Sequence, residues 1–177
     1  MAKSQKIILK GLRSSYPHLF SKDTMSGKYT CDFIFSKDHP QVAELRAAID
    51  KVYADAKANN PGKNISKDII RDGDTERPSD AAFANCYYIK TKTSVDSIRN
   101  NVFKRTDMGL VNITDESEFY GGCNCEASLV VQWYEFQGKI GLHFLLNGVC
   151  QVPGGDAFGG SHSAKSDFGG DDEEEIY

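Results

Sequence analysis

The sequence predicts a mainly β fold, a small closed antiparallel barrel of five or six strands with one main α-helix after the second strand. Three observations carry that prediction. Short runs alternate apolar and polar residues, as a half-buried strand requires. Only one segment, in the forties and fifties, spaces its apolar residues at helical intervals. Gly- and Pro-containing turns join the runs, and hairpins so joined bury their apolar faces most simply by closing on themselves. An open sandwich is the competing arrangement.

Residues 6–14, KIILKGLRS, read as the first strand, broken by Ser15-Tyr16-Pro17-His18. The second begins after Gly27. Tyr29, Cys31, Phe33 and Phe35 alternate with Lys28, Thr30 and Asp32, so these aromatics are packing residues. Asp38 or His39 can cap the helix, with Pro40 near its first position, where no donor is missed. Val42, Leu45, Ile49, Val52 and Tyr53 form its apolar face, and Asn59-Asn60-Pro61-Gly62 ends it. Residues 63–80 are polar and turn-rich. Asp72-Gly73-Asp74 within them lacks the downstream ligands of a calcium loop and reads as a tight turn.

In the strand Cys86 to Lys92, Tyr87, Ile89 and Thr91 share one face, and Tyr88, Lys90 and Lys92 the other. An outward row of one ring and two ammonium groups suits a single-stranded nucleic acid, whose bases stack and whose phosphates need cations. A solvated strand edge guarded by lysine has the same pattern. A second basic-aromatic cluster, Phe103-Lys104-Arg105, precedes a short strand from Gly109 to Thr114. A long strand to Phe136, a turn at Gln137-Gly138 and a last strand from Lys139 to about Val152 make a hairpin, with Cys125, Ala127, Leu129, Val131 and Trp133 on one face. Ile140, Leu142 and Phe144 face inward from its second arm, and His143 faces out.

The composition changes at Pro153. Residues 1–152 form one domain, and 153–177 form a Gly-rich segment with seven acids against the single Lys165, too poor in apolar surface to be expected to order. The whole chain carries −4, so a segment at −6 leaves a body of about +2. A flexible polyanion beside a cationic surface can occupy a site that otherwise holds a nucleic-acid backbone. A purely solubilising tail is the plainer alternative, although its Ile176-Tyr177 end is apolar.

Several classes lack their motifs. There is no phosphate-binding P-loop, no G-x-S-x-G elbow and no H-E-x-x-H, and His18, His39, His143 and His162 are scattered. No enzyme activity, cofactor or metal is expected. Cys86, Cys123, Cys125 and Cys150 could be drawn as a zinc site, but their spacing is not that of a zinc module, and buried reduced thiols fit better. The N-terminus MAKSQKIILKGLRSS has no apolar leader segment, and no run of about 18 apolar residues marks a membrane span.

In order along the chain, KYTCDFIFSKDHP, IIRDGD, CYYIKTKTS, EFYGGC, the final hairpin and the Gly-rich acidic end resemble the single-stranded DNA-binding proteins of tailed phages, over most of the body. The end DDEEEIY is similar to the tails of cellular single-strand-binding proteins. This resemblance implies an OB-fold that coats single-stranded DNA without strong sequence preference during replication and recombination, in the cytoplasm of an infected bacterial host. It also implies a tail (Asp171, Asp172, Glu173, Glu174, Glu175, Ile176, Tyr177) that competes with DNA and recruits polymerase or primase-helicase. Homo-oligomerisation on DNA is compatible with it. Cellular OB-folds place their helix later, so the groove is assigned by strand parity instead. Tyr88, Lys90 and Lys92 stand at its centre, with Phe103, Lys104 and Arg105 on a flanking loop. Arg13, Tyr16, Lys28 and Tyr120 or Tyr134 are secondary candidates. The alternative function is an OB-type adaptor whose acidic tail captures basic proteins and which binds no DNA.

Overall fold

A computed structural model describes residues 3–158 of the chain. The elements run β1 (Ile7–His18), β2 (Tyr29–Ser36), α1 (Val42–Asn59), β3 (Arg71–Asp72), α2 (Gly73–Glu76), β4 (Cys86–Thr93), β5 (Val102–Thr106), β6 (Gly109–Asn112), β7 (Asn124–Phe136) and β8 (Lys139–Gln151). Five strands, in the order β4-β2-β1-β7-β8, form the barrel wall. Their pairings are antiparallel except at the seam, where β8 meets β4 in parallel through Thr91–Phe144 and Lys92–Leu145. That seam closes the five strands into a barrel, with β3 and the β5–β6 hairpin added outside it.

Period-two alternation fills the interior. Leu9, Leu12, Cys31, Phe33, Ile89, Ala127, Leu129, Val131 and Phe144 are almost wholly withdrawn from water. Cys31, Cys123 and Cys125 are free thiols among the buried residues, acting as small apolar side chains. Cys86 and Cys150 are only partly covered, and among the described residues no group of three or more ligands could hold a metal ion. Helix α1 lays Leu45, Ile49, Val52 and Ala56 against the body, and Asp55 accepts a 2.7 Å hydrogen bond from the Trp133 indole on β7. Burying each large aliphatic contributes about 1.5–3 kcal/mol. The β7–β8 turn places Gln137 at φ +52° and Gly138 at φ +79°, the left-handed pair that a two-residue hairpin needs.

Several local expectations change. The helix begins at Val42, not beside Asp38, because Gln41 at its cap turns its amide to β1: Nε2 donates to Ile8 O, and Lys10 N–H donates to Oε1. Strand β1 runs on through the predicted break to His18, with a register shift between Ser15 and His18 that absorbs Tyr16 and Pro17. The Phe103-Lys104-Arg105 loop is strand β5, paired with both β8 and β6. Finally, Pro153–Phe158 is packed against the body and not loose: Phe158 N–H donates to Gly121 O, Asn124 N–H to Gly154 O, and the Tyr120 hydroxyl to Gly155 O. Asp171 to Tyr177 lie outside the described residues.

The turn read at Asp72-Gly73-Asp74 is a strand end followed by one helical turn. Lys37 bridges both carboxylates at 2.8 Å, which holds Asp72 and Asp74 ionised below the ordinary carboxylate range. A Cβ on Gly73 would stand 2.5 Å from Phe83 O, so only glycine allows residues 71–83 to fold down on the barrel's outer face.

Candidate nucleic-acid interface

That folded-down segment makes a groove. Its floor is the outward face of β2 and β4, where Thr30 opposes Lys92 and Asp32 opposes Lys90. One wall carries Arg71 and Arg77. The other carries Tyr134 from β7 and His143 from β8, and Tyr16 stands at one end; the enclosed volume is about 560 Å³.

The rings are set by the sheet. Tyr134 is paired with Gly141, and a Cβ on Gly141 would lie 2.7 Å from Tyr134 Cζ, so the missing side chain is what lets the ring lie across β8. His143 stacks on it, with centroids 4.7 Å apart and planes 30° from parallel. Lys92 holds its ammonium 5.5 Å from the Tyr134 centroid, a cation–π distance. Tyr16 is 63% exposed and sits at φ +48°, a left-handed backbone uncommon for a bulky residue and favoured by the adjacent register shift.

The charges differ in availability. Lys90 lies 3.7 Å from Asp32, and Arg71 is bound to Glu76 at 2.8 Å. Burial raises the Asp32 carboxyl above its usual range despite Lys90 and Arg77 nearby. Lys92 and Arg77 make no ion pair among the described residues. Burial, then the charge of Lys28, lowers the Lys92 pKa, and burial with Lys92 and Lys28 lowers that of His143 to about 4. His143 is therefore neutral near pH 7; its Nε2 lies 3.1 Å from Gln132 Oε1, while the buried Nδ1 has no partner among the described residues. Besides burial, Lys28 acts on Lys92 and both act on His143, so like charge is crowded here and the groove is suited to receive negative charge.

Of the residues expected from sequence, the structure brings together Tyr16, Lys90, Lys92 and Tyr134, with Lys28 close enough to act on Lys92 and His143. Tyr88 corrects an expectation. Its parity is right and it points out of the barrel, but Phe83 and Arg77 cover it, leaving it 2% exposed. Its hydroxyl donates to Glu76 at 3.2 Å, so it is a core residue beneath the groove wall and not an open platform. Phe103, Lys104 and Arg105 do not flank the groove. Lys104 pairs with Gln151 of β8, six residues from the Leu145 that meets Lys92, roughly 20 Å along a strand. Lys104 is bound to Glu118 and Arg105 to Glu126, while Phe103 lines a separate apolar hollow with Ile8 and Cys150. Arg13 and Tyr120 hold the Pro153–Phe158 segment. Arg71 and Arg77 were missed, because only the fold of residues 71–83 onto the sheet brings them to the groove.

A family model described as the ssDNA-binding protein of Enterobacter phage Enc34 matches residues 5–177. The chain belongs to that phage single-stranded DNA-binding protein family. No curated protein sequence matches the chain. Among solved structures, the Enc34 phage protein in complex with ssDNA superposes with a TM-score of 0.67 at 22% identity, over 87% of this chain and 89% of that one. A C-terminal truncation of the same phage protein gives 0.67 at 21% identity, over 86% and 88%. The single-stranded DNA-binding protein gp2.5 of bacteriophage T7 gives 0.56 at 12%, over 99% and 100%. These likenesses place the Enc34-family chain in the OB-type barrel fold that its sequence resembled.

Proposed function

We propose that this chain coats single-stranded DNA without strong sequence preference during phage replication and recombination, in the cytoplasm of the infected bacterial host. The carrying observation is the groove itself, where Lys92 and Arg77 stand among the rings of Tyr16, Tyr134 and His143. Membership of the Enc34 family supports the same reading. Cations neutralise phosphates and release counterions, and each stacked base adds about 1–3 kcal/mol whatever its identity.

The acidic end, Asp171 to Tyr177, competes for the groove and, when displaced, recruits replication proteins such as polymerase or primase-helicase. The path of the chain toward it supports this, since Phe158 lies in a pocket that shares Tyr16 with the groove. The test is a fluorescence titration with labelled oligonucleotides of unrelated sequence, comparing full-length protein with one lacking Asp171–Tyr177. Similar affinities across sequences, a steep loss with salt and tighter binding by the truncated protein are expected. A truncated protein that ignores oligonucleotides in dilute buffer would rule the proposal out and leave the adaptor reading.

A further inference from the structure

Beyond Tyr16 lies a second hollow of about 470 Å³, within the size range of small-ligand sites. Tyr16 lines both it and the main groove, so the two adjoin at this one ring. Phe83 and Tyr120 form its sides, and its far wall is Phe158. We propose that the single-stranded path continues over Tyr16 into this hollow, which takes one further nucleobase between the Tyr16 and Phe158 rings, with its phosphate at Arg77. This rests on the single-stranded DNA reading of the groove and extends it to a site formed by the chain's own C-terminal segment.

The far wall is built, not incidental. Arg13 donates from Nη2 to Asp156 O at 2.8 Å and from Nε to Gly122 O at 3.1 Å, and its guanidinium lies 4.3 Å from the Phe158 centroid. Gly122, at φ +105°, meets Asp156 O so closely that no Cβ could fit, and Gly155, at φ +97°, does the same against Gly122 O. The two glycine pairs therefore interlock as a fitted joint, which presents the Phe158 ring in one place. Arg77 spans the junction: its guanidinium lies 5.9 Å from the Tyr16 ring and 5.0 Å from the Phe83 ring. Asp80 also lines the hollow, which directs the phosphate to the Arg77 side and leaves the base to enter between the rings. Tyr16 keeps its left-handed backbone at this junction, the kind of strain that collects at binding sites.

The test uses the full-length chain and labelled oligothymidylates of graded length, from about 4 to about 16 nucleotides, the range of OB-fold site sizes. In the wild type, affinity should rise with a last step when the oligonucleotide becomes long enough to cross Tyr16. Phe158→Leu keeps an apolar plug in the joint but removes the ring. It should abolish that last step, weakening the longer oligonucleotides by about 5- to 150-fold, the range expected of one lost stacked base, and leave the shortest unchanged. Phe158→Trp should restore the step, and equal melting temperatures would exclude a loosened fold. A leucine variant that matches the wild type at every length, or that loses equally at all lengths, overturns the subsite alone. A wild type that binds no oligonucleotide overturns both this and the proposed function.

Discussion

Lys92 and Tyr134 face one another across β8, with the ammonium 5.5 Å from the ring centroid, although 42 sequence positions separate them. The parallel seam between β4 and β8 creates this pair, and Gly141 leaves the room for it. A cation and a flat ring side by side can neutralise one phosphate while a neighbouring base stacks.

Tyr134→Ala should therefore weaken single-stranded DNA binding by about 5- to 150-fold at fixed salt, the equivalent of one lost stacked base. Lys92→Met should do something different, reducing the slope of log affinity against log salt by about 0.7, the expectation for one single-strand phosphate contact. Both side chains are only partly buried, so melting temperatures should stay close to wild type. Salt titrations of the two variants decide it; identical slopes would separate Lys92 from the backbone contacts.

Tyr88→Ala should act on folding. The ring is buried edge-to-face against Phe83 at 5.1 Å, and truncating a buried aromatic costs about 3–5 kcal/mol. Tyr88→Phe should lose only the Glu76 hydrogen bond, about 1 kcal/mol, and bind oligonucleotides like the wild type. Denaturant melts beside binding titrations check this, and a stable alanine variant with impaired binding would restore the ring to the interface.

Lys104→Ala and Arg105→Ala should leave single-stranded DNA affinity within about twofold. Their charges are tied to Glu118 and Glu126, and an exposed ion pair contributes about 0–1 kcal/mol. A large loss in either variant would mean that DNA wraps beyond the groove onto the β5–β6 hairpin.

His143 makes stability depend on acid. Its folded pKa of about 4 lies below the 6.5 of a free imidazole, so between those values the unfolded chain binds a proton that the folded chain refuses. Stability contributed at neutral pH is thus lost progressively as pH falls from about 6.5 to about 4, on the order of 1–2 kcal/mol after discounting the ring's partial exposure. His143→Gln should flatten that part of the pH–stability curve. Denaturant melts of the two proteins between pH 4 and pH 7 check this, and parallel curves would remove His143 from the acid dependence.

Strand parity, the main helix α1, the hairpin turn and the asymmetry between a mildly basic body and an acidic end were legible in the sequence, because period-two and period-3.6 spacing and composition are local properties. The outward direction of Lys90 and Lys92 was read the same way. Local spacing could not reveal that residues 71–83 fold over Tyr88 and deliver Arg71 and Arg77. Nor could it show that β4 and β5 lie end to end along β8, with Lys104 and Arg105 well away from Lys92. Glycine pairs that read as slack are an interlocking joint in space, since the absence of a Cβ serves both looseness and close approach. The sequence alone determined which residues face water or core within each strand; tertiary structure decided which outward residues meet, because burial and proximity depend on segments distant along the chain.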